Sequence, residues 1–178
     1  LFMAGVSIAQ TNFFAPLPDR ASLNPTRVVQ NVKAYQVLRL NENALRHYLL
    51  AAPQEGGSNR NYLPLEIPLP GGRSETFGLM ESGILSPEIA AQHPEIKSYT
   101  GNGLTNKEAV IRLTLTSEGL HIVILDLDGD EVYFEHYTDE DRDVYFNYFL
   151  RDAVAPPDQQ RGRCDIDDDH GSLDGLPN

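Results

Sequence analysis

From residue 96 to residue 150 the sequence is a succession of five apolar, β-rich runs, at 96–100, 109–116, 120–127, 131–137 and 143–150. They are joined by stretches of turn length, too short for the crossover that parallel neighbours need. Runs spaced this closely pair antiparallel, each with the next. The last run holds four aromatics and a valine, a composition that favours strand over helix.

Upstream elements fit around such a sheet. Residues 35–40 alternate and read as a strand. Asn41 can cap a helix over 42–52 that places Leu45, Tyr48, Leu49 and Ala52 on one face, and Pro53 ends it. Residues 54–61 are a polar loop. Residues 63–69 are extended, and their prolines place them at a sheet edge. Pro70, Gly71 and Gly72 form the turn into another extended run at 74–82. Ser86-Pro87-Glu88 is a helix start, with a capping serine, proline in the first turn and a carboxylate at the positive dipole end. That helix is short because Pro94 follows. The expected fold class is α+β: an antiparallel sheet with a few short helices packed on one side.

Composition narrows the function. With 178 residues, of which 40% are hydrophobic and 22% charged, the chain can bury one core. Fourteen Lys and Arg against 26 Asp and Glu give a formal net charge of −12, which repels nucleic-acid backbones and anionic membrane surfaces. The single cysteine excludes an intrachain disulfide.

The ends differ from the middle. An apolar run from Leu1 leads to Ser7 and Ala9, small residues at the −3 and −1 positions of a signal-peptidase site before Gln10. Residues 1–9 are therefore expected to be a signal-peptide remnant, and the protein to be secreted or periplasmic. Residues 10–33 read as an N-terminal leader, 34–154 as the folded domain, and 155–178 as an acidic linker.

Catalytic motifs are scarce. The sequence has no H-E-x-x-H and no G-x-S-x-G, and its five histidines include no pair four residues apart. Asp126-Leu127-Asp128-Gly129-Asp130-Glu131 looks like a calcium loop, but positions 6 and 12 hold Glu131 and Tyr137 where an EF-hand needs Gly and Glu. Asp128-Gly129 suits a two-residue hairpin turn instead. Such a turn sets Val132 opposite Leu125, Phe134 opposite Val123 and His136 opposite His121. The four aspartates 165, 167, 168 and 169 read as a solvated charge run.

A further pattern runs from residue 77 to residue 103. Phe77, Glu81 and Ser82 precede Pro87, Glu88, Ile89 and Ala90, and then Pro94, Glu95, Ile96, Tyr99 and Gly101. This resembles the F-x-x-x-E-S strand and the P-E-L-A…P-E-I-x-x-Y-x-G segment in the N-terminal prodomain of secreted reprolysin-like zinc metallopeptidases of Bacteroidetes-type bacteria. The helix end at 49–53 is similar too, as are Arg112, Thr116, Gly119, His121 and Tyr137. The resemblance spans residues 37–148. It implies a propeptide that is not itself an enzyme, binds no cofactor, and assists folding of the protease or keeps the zymogen latent. Its partner is then its own catalytic domain, a zinc metalloendopeptidase with an extended H-E-x-x-H-x-x-G-x-x-H motif, expected downstream.

On that reading the lone cysteine acquires a candidate role. A thiolate can fill the open fourth position of a catalytic zinc, at about 2.3 Å, and displace the attacking water. Cys164 lies in the linker where such a blocking group belongs, with Arg161 and Arg163 as candidates for contact with an acidic cleft. In some relatives a carboxylate serves, which nominates Asp165. Cys164 can equally be an unpaired linker cysteine, or pair with a cysteine in the missing domain. The competing class is a stand-alone exported module that binds protein or glycan through its sheet face or the 101–106 loop.

Overall fold

Period-two alternation decides the sheet. In Val110–Thr116 the buried side chains are Ile111, Leu113 and Leu115, and in Gly119–Leu127 they include Ile122 and Ile124. Alternate residues of a strand point to opposite faces, so each run turns one apolar face inward. A computed structural model describes residues 12–57, 61–83 and 85–154. The strands are β1 (Phe14–Pro16), β2 (Gln36–Leu40), β3 (Leu63–Pro68), β4 (Ser74–Glu81), β5 (Lys97–Gly103), β6 (Val110–Thr116), β7 (Gly119–Leu127), β8 (Asp130–His136) and β9 (Val144–Phe149). The helices are α1 (Arg27–Gln30), α2 (Glu42–Leu49) and α3 (Pro87–Gln92).

All nine strands form one sheet in the order β1-β2-β9-β8-β7-β6-β5-β4-β3, with each strand antiparallel to its neighbour. After β2 the chain crosses through α2 to the far edge, then meanders back from β3 until β9 docks on β2. The sheet curls into a nearly closed barrel, and strand accounts for 44% of the structure against 14% for helix. An antiparallel sheet with a few short helices is thus observed, with far more weight in the sheet than an α+β balance implies.

The helices do not share one side. Leu45 and Leu49 of α2 join the main core inside the barrel, with Leu38, Ile67, Phe77, Leu113, Ile122 and Phe134 among others. Val29 of α1 belongs to a second cluster on the outer face, with Val32, Val37, Tyr137, Val144, Phe146 and Tyr148. The Asn41 side chain accepts the Ala44 amide hydrogen bond at 3.1 Å, the cap expected for α2. Residues 88–92 of α3 are exposed.

Residues 10–33, read from sequence as a leader, contribute structure from residue 12 onward. Phe13 and Phe14 are buried in the main core, β1 pairs with β2, and Val32 bridges to Ala153. The Phe14 ring meets Phe134 of β8 edge-on at 5.9 Å between centroids. No periodic signal announced these elements, because β1 is three residues long and ends on Pro16.

The β7–β8 hairpin corrects the expected register. Asp128 (φ 54°) and Gly129 (φ 79°) do form the two-residue turn, flanked by the Leu127–Asp130 pair. Beyond it Leu125 and Asp126 together oppose Glu131 alone, a β-bulge with Asp126 at φ 54°. The extra residue shifts the ladder by one, so Val132 faces Ile124 and Phe134 faces Ile122. His136 therefore shares the inward face with Phe134, while His121 is exposed on the opposite face. The expected histidine pair does not form.

Two buried tyrosines make the fold sensitive to alkali. Burial inside the barrel raises Tyr145 to about 12, only partly offset by the Leu120 N–H that donates to its oxygen. Burial raises Tyr99 to about 12 as well, with the Glu81 carboxylate adding to the effect. The ordinary value is 10.0, so between about 10 and 12 the folded chain holds protons that the unfolded chain has lost. This stabilisation is complete below about pH 10 and is lost as pH rises through 12. Denaturant midpoints measured from about pH 9 to pH 12 should fall, and Tyr145→Phe should make that fall shallower. An identical pH slope in parent and variant contradicts this account.

Candidate functional site

The residues of the prodomain-like pattern meet along β4, α3 and β5. Phe77 is fully buried on β4. Glu81 pairs in register with Tyr99, and Leu79 with Gly101. One oxygen of the Glu81 carboxylate takes the Lys97 ammonium at 2.7 Å, and the other accepts from Gln54 Nε2 at 2.6 Å. Its amide donates to the Pro53 carbonyl, and its own carbonyl accepts from the Glu55 amide, each at 2.8 Å. Ser82 Oγ donates to Glu55 at 2.6 Å. Glu81 and Ser82 thus lace the loop after α2 to the end of β4.

The rest of the pattern also has structural work. Pro87 opens α3, and the Ser86 side chain accepts the Ile89 amide at 3.5 Å. A backbone hydrogen bond and the Ser86 hydroxyl hold Glu88 below the usual carboxylate range. Pro94 and Glu95 form an exposed turn, with Glu95 lying 3.2 Å from His93. A backbone hydrogen bond and His93 lower the Glu95 carboxyl. Ile96 is half-buried ahead of β5. A Cβ on Gly101 would lie 2.4 Å from the Gly78 carbonyl oxygen, so only glycine fits where β4 and β5 cross there.

The zinc-blocking candidates Cys164 and Asp165, with Arg161 and Arg163, lie outside the described residues, as do residues 1–9. Among the described residues no group of three or more His, Cys, Asp or Glu is placed to hold a metal, and no helix is long and apolar enough to cross a membrane. Of the expected 101–106 loop, residues 101–103 belong to β5, paired with β4 and β6, and the rest is tied down by Glu75, which had no distinguishing mark in the sequence. Its buried carboxylate accepts from the Thr105 amide at 2.8 Å and the Asn106 amide at 3.3 Å.

A concavity with a volume of about 660 Å³ lies at the barrel's open seam, between the edge strands β1 and β3. Its lining is mixed, with Phe13, Phe14 and Leu65 beside Asn12, Glu66 and Arg73. Gln36, on the inward face of β2, also lines it. Its cross-strand neighbour is Asn147, the sole fully buried amide side chain among the described residues. Asn147 Nδ2 donates to the Pro68 carbonyl at 2.8 Å. Gln36 Oε1 and Asn147 Oδ1 are both buried without a hydrogen-bond partner among the described residues. An unsatisfied buried acceptor costs about 1–3 kcal/mol, so these two oxygens are a cost that the β2–β9 pairing carries in the barrel interior.

The β3 edge itself is closed to another strand. The Leu69 amide donates to Arg73 across the β3–β4 turn, so by alternation Pro64, Glu66 and Pro68 turn their backbone groups away from β4. The prolines have no N–H. The Pro64 carbonyl accepts from Tyr48 Oη, and the Pro68 carbonyl from Asn147. Sequence reasoning placed this strand at an edge correctly, but the cleft depends on residues more than a hundred positions apart and has no sequence signature. No family model, curated protein or solved structure matches this chain.

If the pattern residues are structural, their substitutions rank by burial. Gly101→Ala should destabilise by about 3 kcal/mol or more, since its clash is with backbone. Glu81→Gln should cost ~1 kcal/mol, because its Lys97 partner is exposed and its backbone hydrogen bonds persist. Urea midpoints with unchanged slopes test this ranking, and a Glu81→Gln loss exceeding that of Gly101→Ala rejects it.

Proposed function

We infer that this chain is the non-catalytic prodomain of a secreted zinc metallopeptidase precursor, which assists folding of the protease and holds it latent. The observation that carries this reading is the coherence of the pattern from Phe77 to Gly101. Its residues bury Phe77 and Tyr99, lace the α2 loop to β4, and fit β5 against β4 without a side chain at Gly101. A pattern spent on folding is what a scaffold carries, whereas catalysis requires reactive groups aimed at one point. Zinc belongs to the expected catalytic domain, and the fragment itself needs none.

Latency then has two components: the folded surface supplies affinity, and a group in the 155–178 segment fills the zinc's open position. Cys164 is the first candidate and Asp165 the second, with Arg161 and Arg163 anchoring the segment to an acidic cleft. A binding module exported in its own right is the second reading, favoured by the seam cleft. The downstream gene sequence separates the two: an H-E-x-x-H within a couple of hundred residues supports the prodomain.

The direct test adds the purified chain in trans to that separately produced catalytic domain. Inhibition should weaken at least about tenfold with Cys164→Ala, equivalent to ~1.4 kcal/mol. Cys164→Ser should behave similarly, since an alcohol is a far poorer zinc ligand than a thiolate. If Asp165→Ala alone abolishes inhibition, the carboxylate is the blocking group. If neither change matters, the domain blocks the cleft sterically. A parent chain that neither inhibits the protease nor improves its refolding yield overturns the prodomain reading.

A further inference from the structure

We propose that residues 155–163 of this chain fill the groove between α1 and the outer face of β7 and β8, with Arg161 and Arg163 paired to Glu135 and Asp139. The contact is internal to the chain and does not rest on the prodomain reading.

The exit of the chain points there. The Lys33 amide donates to the Asp152 carbonyl at 2.9 Å, Val32 bridges Ala153 antiparallel, and the Val154 amide donates to the Asn31 carbonyl at 2.7 Å. Residues 152–154 therefore run antiparallel to 31–33, and the next residues head back along α1 toward Thr26. Thr26 marks the far end of the groove, where its amide donates to the Tyr137 carbonyl at 2.8 Å and its hydroxyl to the His136 carbonyl at 3.3 Å. Asn31 and Thr26 are about 8 Å apart along the helix axis. Residues 155–163, extended, span up to about 30 Å, so both arginines reach that end.

The groove matches the segment in chemistry. It has a volume of about 390 Å³, with Val28, Val123 and Tyr133 as its apolar stripe. Its carboxylates are Glu135 and Asp139, beside the imidazoles of His121 and His136. Val28 is 40% exposed and Val154 44%, so the groove wall and the exit each leave an apolar side chain uncovered. Pro156 and Pro157 favour the extended polyproline conformation, which docks on aromatic rings such as Tyr133. Tyr148 Oη donates to one oxygen of Glu135 at 3.1 Å, which leaves the other for a guanidinium, and Asp139 is exposed. Arg161 and Arg163 are the only Lys or Arg residues after Arg151. Asp165, Asp167, Asp168 and Asp169 follow and are repelled by the same carboxylates, so the contact ends at Arg163.

A basic peptide from another protein, or a second copy of the chain, is the competitor. Either must displace a tethered segment whose effective concentration is on the order of millimolar. Cys164 follows Arg163 directly, so docking holds it at the Asp139 end of the barrel.

The test places a nitroxide on Cys164, the single cysteine, and reads paramagnetic broadening of amide signals in the full chain. The amides of Thr26, Glu135 and Asp139 should broaden, while those of Leu65 and Ile67 on β3 stay sharp. Arg161→Gln with Arg163→Gln should lower the docked-to-free ratio about tenfold, since two exposed ion pairs are lost. Glu135→Gln with Asp139→Asn should do the same, and the new amide still accepts from Tyr148. Without the label, Pro156 or Pro157 protons should show contacts to the Val28 and Val123 methyl groups. Even broadening over the whole surface, or selective broadening that both double substitutions leave unchanged, overturns the proposal. Broadening that appears when the labelled chain is mixed with an unlabelled, isotope-enriched copy gives the groove to a second copy, and overturns it too.

Discussion

Six consecutive buried residues in Val144–Phe149 force β9 into the middle of the structure, and its pairing with β2 supplies the neighbour it needs there. Tyr145 and Phe149 point into the barrel, while Val144, Phe146 and Tyr148 point outward under the N-terminal segment. A strand buried on both faces cannot stand at an edge, where one row of its backbone groups would be left unpaired. The β2–β9 ladder joins residues more than a hundred positions apart and turns a seven-strand meander into a curled sheet. Without it, the outer cluster of Val29, Val32 and Tyr137 loses the surface it covers.

That same pairing creates the seam. Once β9 has taken the inner side of β2, the outer side receives only the three residues of β1, and β3 ends the sheet at the other edge. Helix α2 spans part of the gap, with the Tyr48 hydroxyl on Pro64 and its ring against Phe13 at 5.1 Å. What it leaves open is the cleft. The barrel is thus held near closure by side chains and a helix, and its backbone ladder stops short.

Much of the architecture was legible in local chemistry. The Asn41 cap, the Ser86-Pro87 helix start, the proline-marked edge strand and the Asp128-Gly129 turn each depend on a few neighbouring residues, and each stands where the sequence put it. Failures came where distant or subtle terms decide. The bulge at Leu125 and Asp126 inserts one residue with no glycine to mark it, and so moved His136 away from His121. The segment containing β1 and α1 has too few residues per element for periodicity, and its place is set by Leu40, Val37 and Ala153 elsewhere in the chain. The candidate site divides in the same way. The pattern from Phe77 to Gly101 was visible as a string of residues, while the seam acceptors Gln36 and Asn147 are unremarkable until β2 and β9 come together.

Amide hydrogen exchange along β3 tests the open seam most directly. Leu65 and Ile67 turn their amides toward β4, whereas the Glu66 amide points to the seam side. The account predicts that the Glu66 amide of the full chain exchanges far faster than those of Leu65 and Ile67 under native conditions. Equal, strong protection at all three positions would contradict it, because a strand would then be closing the barrel at the seam.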